Sequence, residues 1–262
     1  MGLFDNANIA NLKLPNRFIR SATAEFAANE DGTITPDYLQ MYSNLAKGET
    51  GLIIQGHLYI LDEGKAHDGM AGISQDSHIS GLEQITKLVH EAETGSAIAA
   101  QLNHGGAYSV STKAPSKRED KPVQAMTGED IENIIEGFRE AATRVKKAGY
   151  DAIQIHSAHG YLVSQFLSSK TNQRTDSWGG SSENRASFLF SIYEAVRSAV
   201  GTHFPVFAKI NGSDEPMSGF SVEESAKVVR RLADEGLDAI EISGMQSSRK
   251  FKKADKGYET VS

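Results

Sequence analysis

The segments KKAGYDAIQIH (146–156) and ADEGLDAIEIS (233–243) are near copies of each other. Each reads as a helix end, a glycine that turns the chain off the helix, a tight turn and a buried strand. Such a repeat is a βα unit, and it sets the plan for the chain around it. Besides Ala152–His156 and Ala239–Ser243, short apolar runs with strand character lie at Phe18–Ala22, Gly51–Gln55, Ala97–Leu102 and Val206–Ile210. Helical periodicity lies between them. Asp130–Ala148 places Ile131, Ile134, Ile135, Phe138, Ala142 and Val145 three and four apart. Thr127 with Asp130 three residues on predicts its N-terminal cap. Glu183–Val200 repeats the pattern, and Ser221 with Glu224 predicts the cap of a third helix.

Strands apolar on both faces, alternating with helices, imply an α/β fold with a parallel sheet covered by helices. Two topologies meet that description: an open doubly wound sheet and a (β/α)8 TIM barrel. An open dinucleotide fold carries G-x-G-x-x-G after its first strand. Here the first strand is followed by Thr23-Ala24-Glu25-Phe26, so the barrel is expected. Only six strands are countable, and the last ends near Ser243. The expectation is a single domain over residues 1–262 holding about six βα units, with strands seven and eight lacking. Two long polar loops, 103–126 and 168–181, are expected on the side where barrels build active sites.

The chain carries 27 basic and 34 acidic residues, a net charge of -7. That balance argues against a nucleic-acid partner, which needs a basic face. The run Arg249–Lys253 reads as a solvated tail. No cysteine is present, which excludes disulfides, thiol nucleophiles and thiolate-held metals or clusters. The N-terminus has no basic start followed by an apolar core, and no apolar run approaches the roughly 20 residues of a membrane span. A cytoplasmic protein acting on a small molecule is expected, with homo-oligomerisation left open.

Residues 153–167 read IQIHSAHGYLVSQFL. His156 ends a buried strand, His159 follows in the next turn and Tyr161 opens a helix. The arrangement fits a plain polar loop. It also fits a zinc site still wanting a third ligand, acid–base work by a histidine, or a donor pair gripping a carbonyl oxygen beside a phenol that gives up a proton.

The stretch from Gly149 to Arg185, GYDAIQIHSAHGYLVSQFLSSKTNQRTDSWGGSSENR, closely resembles the signature of the Old Yellow Enzyme family. These are FMN-dependent NAD(P)H:flavin oxidoreductases and ene-reductases. LPNRFIRSATAEF (14–26), GLIIQG (51–56), AAQLNHGG (99–106) and FPVFAKINGSDE (204–215) extend the resemblance over nearly the whole chain in the same order. The resemblance implies a flavoprotein TIM barrel with FMN at the C-terminal mouth and NADH or NADPH as reductant. It implies that His156 and His159 hydrogen-bond a substrate carbonyl and that Tyr161 protonates the α-carbon. It further implies that Gln101 meets the flavin's pyrimidine edge and that Lys209 stabilises the anionic reduced ring near N1. Ala22, Thr23 and Ala24 would contact the ring, and Gln55 and Gly56, taken as the end of the second strand, would approach it. His104 reads as structural. Arg174, Asp176 and Arg185 read as loop-to-helix ion pairing. No residue is assigned to a metal.

Three departures stand out. Ala24 falls where many members have a threonine or cysteine bonded to the flavin C4 carbonyl, and Ala107 falls where arginine is common. The family's phosphate-binding elements beyond the sixth strand are not matched. Two functions are therefore carried forward: an FMN-dependent ene-reductase, and a truncated, catalytically silent barrel fragment that acts at most as an oligomerising or binding module. A histidine-based metal hydrolase is a third.

Overall fold

The computed structural model describes residues 2–119, 122–214 and 219–244. Among them the strands are β1 (Ala7–Ile9), β2 (Leu12–Leu14), β3 (Ile19–Arg20), β4 (Leu52–Tyr59), β5 (Ala97–Asn103), β6 (Lys113–Ala114), β7 (Gln124–Ala125), β8 (Ala152–Ser157), β9 (Val206–Asn211) and β10 (Ala239–Ser243). The helices are α1 (Pro36–Lys47), α2 (Ile79–His90), α3 (Gly128–Lys147), α4 (Leu162–Leu167), α5 (Ser182–Val200) and α6 (Val222–Asp234). One sheet has the order β3-β4-β5-β8-β9-β10, and every neighbouring pair is parallel. A helix lies between each strand and the next. This is the βα alternation read from the two copied segments.

The repeat's chemistry explains its geometry. Gly149 and Gly236 take φ of 80° and 91°, the left-handed conformation that glycine adopts without steric cost. The aspartate two residues on then ties its strand to a neighbour. Asp151 N–H donates to Ile98 O and its Oδ2 accepts from Ile98 N–H at 2.8 Å. Asp238 makes the same pair of bonds to Val206. The capping boxes at Thr127/Asp130 and Ser221/Glu224 form as expected.

Alternation along the strands divides the core in two. Ile53, Ile98, Leu102, Ile153, Ile155 and Val206 face outward and join Ile131, Ile134, Phe138, Leu189 and Val196 of the helical layer. Each such side chain contributes about 1.5–3 kcal/mol on burial. The alternate residues Leu52, Ile54, Ala97, Ala99, Ala152 and Phe207 form a smaller inner cluster. Leu14, with Ile9 and Leu12, closes it from below. These come from the antiparallel β1–β2 hairpin, which the sequence reading did not anticipate.

The sheet curls. Ser21, next to β3 at one edge, donates through Oγ to Glu241 Oε1 of β10 at the other edge, at 2.7 Å. The curl gathers the C-terminal strand ends around one mouth. Loop 168–181, which follows α4, zips onto the loop holding β6 and β7. Arg174 Nη1 donates to Pro115 O and Met126 O at 3.0 and 2.6 Å, and Gln173 N–H donates to Ser116 Oγ. Arg174 also pairs with Asp176, and Arg185 with Glu224 of α6.

One expectation about β4 needs correction. The strand runs on to Tyr59 instead of ending at Gln55 and Gly56, because His57-Leu58-Tyr59 is buried along its whole length. Its register also shifts between Gln55 and Leu58.

Candidate active site

Four strands end at the mouth with polar residues two apart: Gln101 and Asn103 on β5, Gln154 and His156 on β8, Lys209 and Asn211 on β9, Glu241 and Ser243 on β10. A spacing of two puts each pair on one face. His156 lies level with Lys209, and Lys209 with Glu241, in the parallel register.

His156 and His159 stand with ring centroids 5.1 Å apart, and Tyr161 lies 5.1 Å from His156. The backbone makes this cluster. His159 takes φ 62° and Gly160 φ 78°, so the chain doubles back after β8. Asn211 Oδ1 accepts from His159 N–H at 3.1 Å and fixes the turn.

Burial, and then the neighbouring imidazoles His57 and His159 and the Lys209 charge, hold His156 well below the ordinary histidine pKa of 6.5. The ring is neutral. Its Nδ1 accepts from Ala158 N–H at 3.4 Å, which leaves Nε2–H as the donor it can offer. Burial and the Lys209 charge lower His159 as well, and its Nε2 meets Ser243 Oγ at 2.7 Å. Burial, then Tyr108, raises the Tyr161 phenol above its usual 10. At neutral pH Tyr161 is therefore a protonated donor.

Lys209 is buried on the same mouth. Its Nζ donates to Ser21 Oγ at 2.8 Å and Ala22 O at 3.4 Å, and pairs with Glu241 at 3.1 Å. Gln101 is buried with its Nε2 donating to Gln154 Oε1 at 2.6 Å. Thr23 is exposed and its hydroxyl donates to Ser21 O, while Ala24 is half-buried beside it.

Gln55 does not belong to this group. Its amide is held between the hydroxyls of Tyr38 and Tyr150, on the side of the sheet that α1 covers. Gly56 serves a different purpose from the one expected. A Cβ there would collide with Thr23 O and the Glu25 carboxylate, so Gly56 lets segment 22–25 lie directly on β4. The Glu25 side chain is buried and ties that segment down. It accepts from Tyr38 and Tyr42 hydroxyls and from Gly56 N–H, and pairs with Arg20 at 2.8 Å. His104 is fully buried, its Nδ1 accepting from Gly106 N–H. Burial, then the Lys113 charge, lowers its pKa to about 3, which fits a structural part.

Sequence reasoning missed His57. Its ring lies 5.0 Å from Tyr161 and 5.7 Å from His156. Burial first, then His67, pushes its pKa down to about 3. Its neighbours fix its tautomer. His67 Nδ1 faces Asp68 O at 2.9 Å, so it must carry the proton there. His67 Nε2 then accepts from His57 Nε2 at 2.9 Å, and His57 Nδ1 accepts from Asn103 Nδ2 at 3.1 Å. Phe26 leans on His67, with centroids 4.2 Å apart. Gln154, Glu241 and Asn103 were missed too, although the polar-x-polar strand ends mark all three.

A curled parallel α/β sheet whose C-terminal mouth gathers a buried cation, glutamine amides and neutral imidazoles beside a phenol has the plan of a flavin-linked oxidoreductase barrel. The donor set fits that cofactor. The cation suits an anionic reduced ring, an amide both donates and accepts at the pyrimidine edge, and Asn103 Oδ1 is buried without a partner. A profile of the NADH:flavin oxidoreductase / NADH oxidase family matches residues 2–258. The chain is 36% identical over 249 residues to an NADPH dehydrogenase of Geobacillus thermodenitrificans, covering 92% of this chain and 72% of the relative. It superimposes on an Old Yellow Enzyme from Pichia sp. AKU4542 with TM-score 0.84 and 28% identity, covering 92% of this chain and 70% of that one. For morphinone reductase in complex with tetrahydroNAD the TM-score is 0.82 at 28% identity, over 95% of this chain and 76% of that one.

The chain belongs to the NADH:flavin oxidoreductase / NADH oxidase family. It is an FMN-dependent NAD(P)H oxidoreductase of the ene-reductase type, on a TIM-barrel plan. Among the described residues no helix is long and apolar enough to cross a membrane.

Proposed function

We propose that the chain reduces the carbon–carbon double bond of α,β-unsaturated carbonyl compounds, with His156, His159 and Tyr161 as its catalytic residues. The observation that carries this is the meeting of two neutral imidazoles and one protonated phenol on a single mouth, with ring centroids about 5.1 Å apart. Lys209, Gln101, Ala22, Thr23 and Ala24 would hold FMN, with Asn103 beside Gln101. The chemistry that bound FMN supplies is hydride transfer, from NAD(P)H to the β-carbon of the alkene.

The chain's own residues do the rest. His156 offers Nε2–H to the substrate carbonyl oxygen. His159 offers Nδ1–H when the Ser243 hydroxyl donates to its Nε2. Two donors on that oxygen stabilise the negative charge that builds there. Loss of a donor of this kind typically costs about 2.7–4 kcal/mol of transition-state stabilisation. Both rings are held neutral, so they act as hydrogen-bond donors and keep their protons. Tyr161 O–H gives its proton to the α-carbon, and such general-acid steps typically contribute roughly 10²–10⁴ in rate. The Lys209 charge, nearby and buried, helps keep the histidines neutral.

We read the six-stranded sheet of the described residues as the larger part of a (β/α)8 barrel forming one domain. Two points support this: six parallel strands among the described residues, and coverage of 72% of the length of the Geobacillus relative. A cytoplasmic site of action and small-molecule partners complete the reading, with self-association of the chain as a further element. Purified protein mixed with FMN should quench flavin fluorescence and stay yellow through desalting. A protein that remains colourless would contradict the reading and favour a silent barrel fragment.

A further inference from the structure

We propose that Glu241 is a positioning residue that acts as a built-in counter-charge to Lys209 and holds down the reduction potential of the bound flavin. This rests on the flavin reading above. Lys209 is almost fully buried, with 3% of its side chain exposed, so water does little to spread its charge. Its partners are Ser21 Oγ, Ala22 O and the Glu241 carboxylate.

The carboxylate is not free to swing away. Ser21 Oγ grips Oε1 at 2.7 Å and Gln154 Nε2 grips Oε2 at 2.9 Å. Gln154 in turn holds the Gln101 amide through its Oε1 at 2.6 Å. Both polar groups assigned to the pyrimidine side of the ring, Lys209 and Gln101, are therefore wired to one anion. In register Glu241 lies level with Lys209, and Lys209 with His156, so the anion sits on the same tier as the catalytic imidazole.

The consequence follows from charge balance. Hydride from NAD(P)H brings two electrons and one proton to a neutral ring, which then carries one negative charge. A cation beside that charge favours the reduced form, and a fixed carboxylate beside the cation opposes it. Removing the carboxylate charge should leave Lys209 uncompensated and raise the potential. A lower potential makes the reduced ring a stronger hydride donor, so Glu241 would favour poorly activated alkenes as acceptors.

The test uses the FMN-loaded protein and its Glu241→Gln, Glu241→Asp and Glu241→Ser variants. The readout is the flavin midpoint potential, from reductive titration against a reference dye. Glutamine keeps hydrogen bonding to Ser21 but loses the charge. We expect at least a tenfold shift in favour of the reduced over the oxidised flavin, about 30 mV upward for a two-electron couple. Serine, smaller and neutral, should move the potential the same way and stands in if the glutamine variant does not fold. Aspartate keeps the charge and should stay near the parent value. Neutral variants whose potential is unchanged or lower would overturn the proposal, even if their melting temperature fell, because a merely structural role moves stability and not potential. A parent protein that takes up no FMN would contradict the flavin reading itself, and this inference with it.

Discussion

Replacing Glu25 with alanine should cost more stability than any single change at the mouth. The Glu25 side chain is only 3% exposed. Its carboxylate accepts from the buried hydroxyls of Tyr38 and Tyr42, the latter at 2.5 Å, and from Gly56 N–H at 3.3 Å. It also pairs with Arg20 at 2.8 Å. Hydrogen bonds to a charged group contribute roughly 1.5–3 kcal/mol each. Removing one partner of a buried ion pair typically costs about 3–5 kcal/mol. Arg20 keeps one fallback, a bond to Ile54 O at 2.9 Å, so the loss should fall near the middle of that range, about 4 kcal/mol. At roughly 2–4 °C per kcal/mol for a chain of this size, the melting temperature should drop by about 8–16 °C. Urea and thermal unfolding followed by far-ultraviolet circular dichroism would measure it. Glu25→Gln should fall between the two, because it keeps hydrogen-bonding atoms without the charge. A Glu25→Ala protein within about 1 kcal/mol of the parent would refute the reasoning, since Tyr38 and Tyr42 would keep only the bonds their hydroxyls accept, from Gln55 and Gly56 N–H, and two buried O–H donors would lose their acceptor.

Stability should also fall in mild acid. His57 and His104 sit near 3 in the folded chain against an ordinary 6.5, because burial disfavours their charged forms. The unfolded chain therefore binds more protons below 6.5, and the stability that is complete above that pH is lost as pH falls towards 3. The urea midpoint should already decline between pH 6.5 and 5, above the carboxylate range, and a flat midpoint there would contradict the burial of these rings. Gly56→Ala should displace segment 22–25, costing about 1–3 kcal/mol as overpacking does and weakening FMN binding. Parent-like stability and flavin affinity in that variant would rule out the close approach.

The residues that made the fold legible were the copied turns. AGYD and EGLD each put a glycine at positive φ after a helix, as read, whereas the aspartates that staple each strand to its neighbour were not anticipated and the second copy's strand is half-exposed. His156, His159 and Tyr161 were legible because one short stretch carries all three, and the structure brings them together. Gln55 shows where the reading fails. On a strand buried along its whole length, nothing in the sequence says which side faces the helices, and a one-residue error of phase reverses every side chain. The register shift after Gln55 compounds this. The β1–β2 hairpin was hidden because its strands are three residues each and carry little pattern. His57 looked like an isolated polar residue, and although the polar-x-polar strand end marks Glu241, its role was not read. Both acquire their roles from partners far away in sequence: His57 beside Tyr161, and Glu241 between Lys209, Ser21 and Gln154.

The central claim is that the phenol at the mouth donates a proton to the substrate and takes no part in loading the flavin. Stopped-flow measurement of the two half-reactions of Tyr161→Phe tests it most directly. Flavin reduction by NAD(P)H should keep its parent rate, while reoxidation by an α,β-unsaturated ketone should slow by roughly 10²-fold or more. Equal slowing of both halves, or an unchanged rate of alkene reduction, would contradict the account.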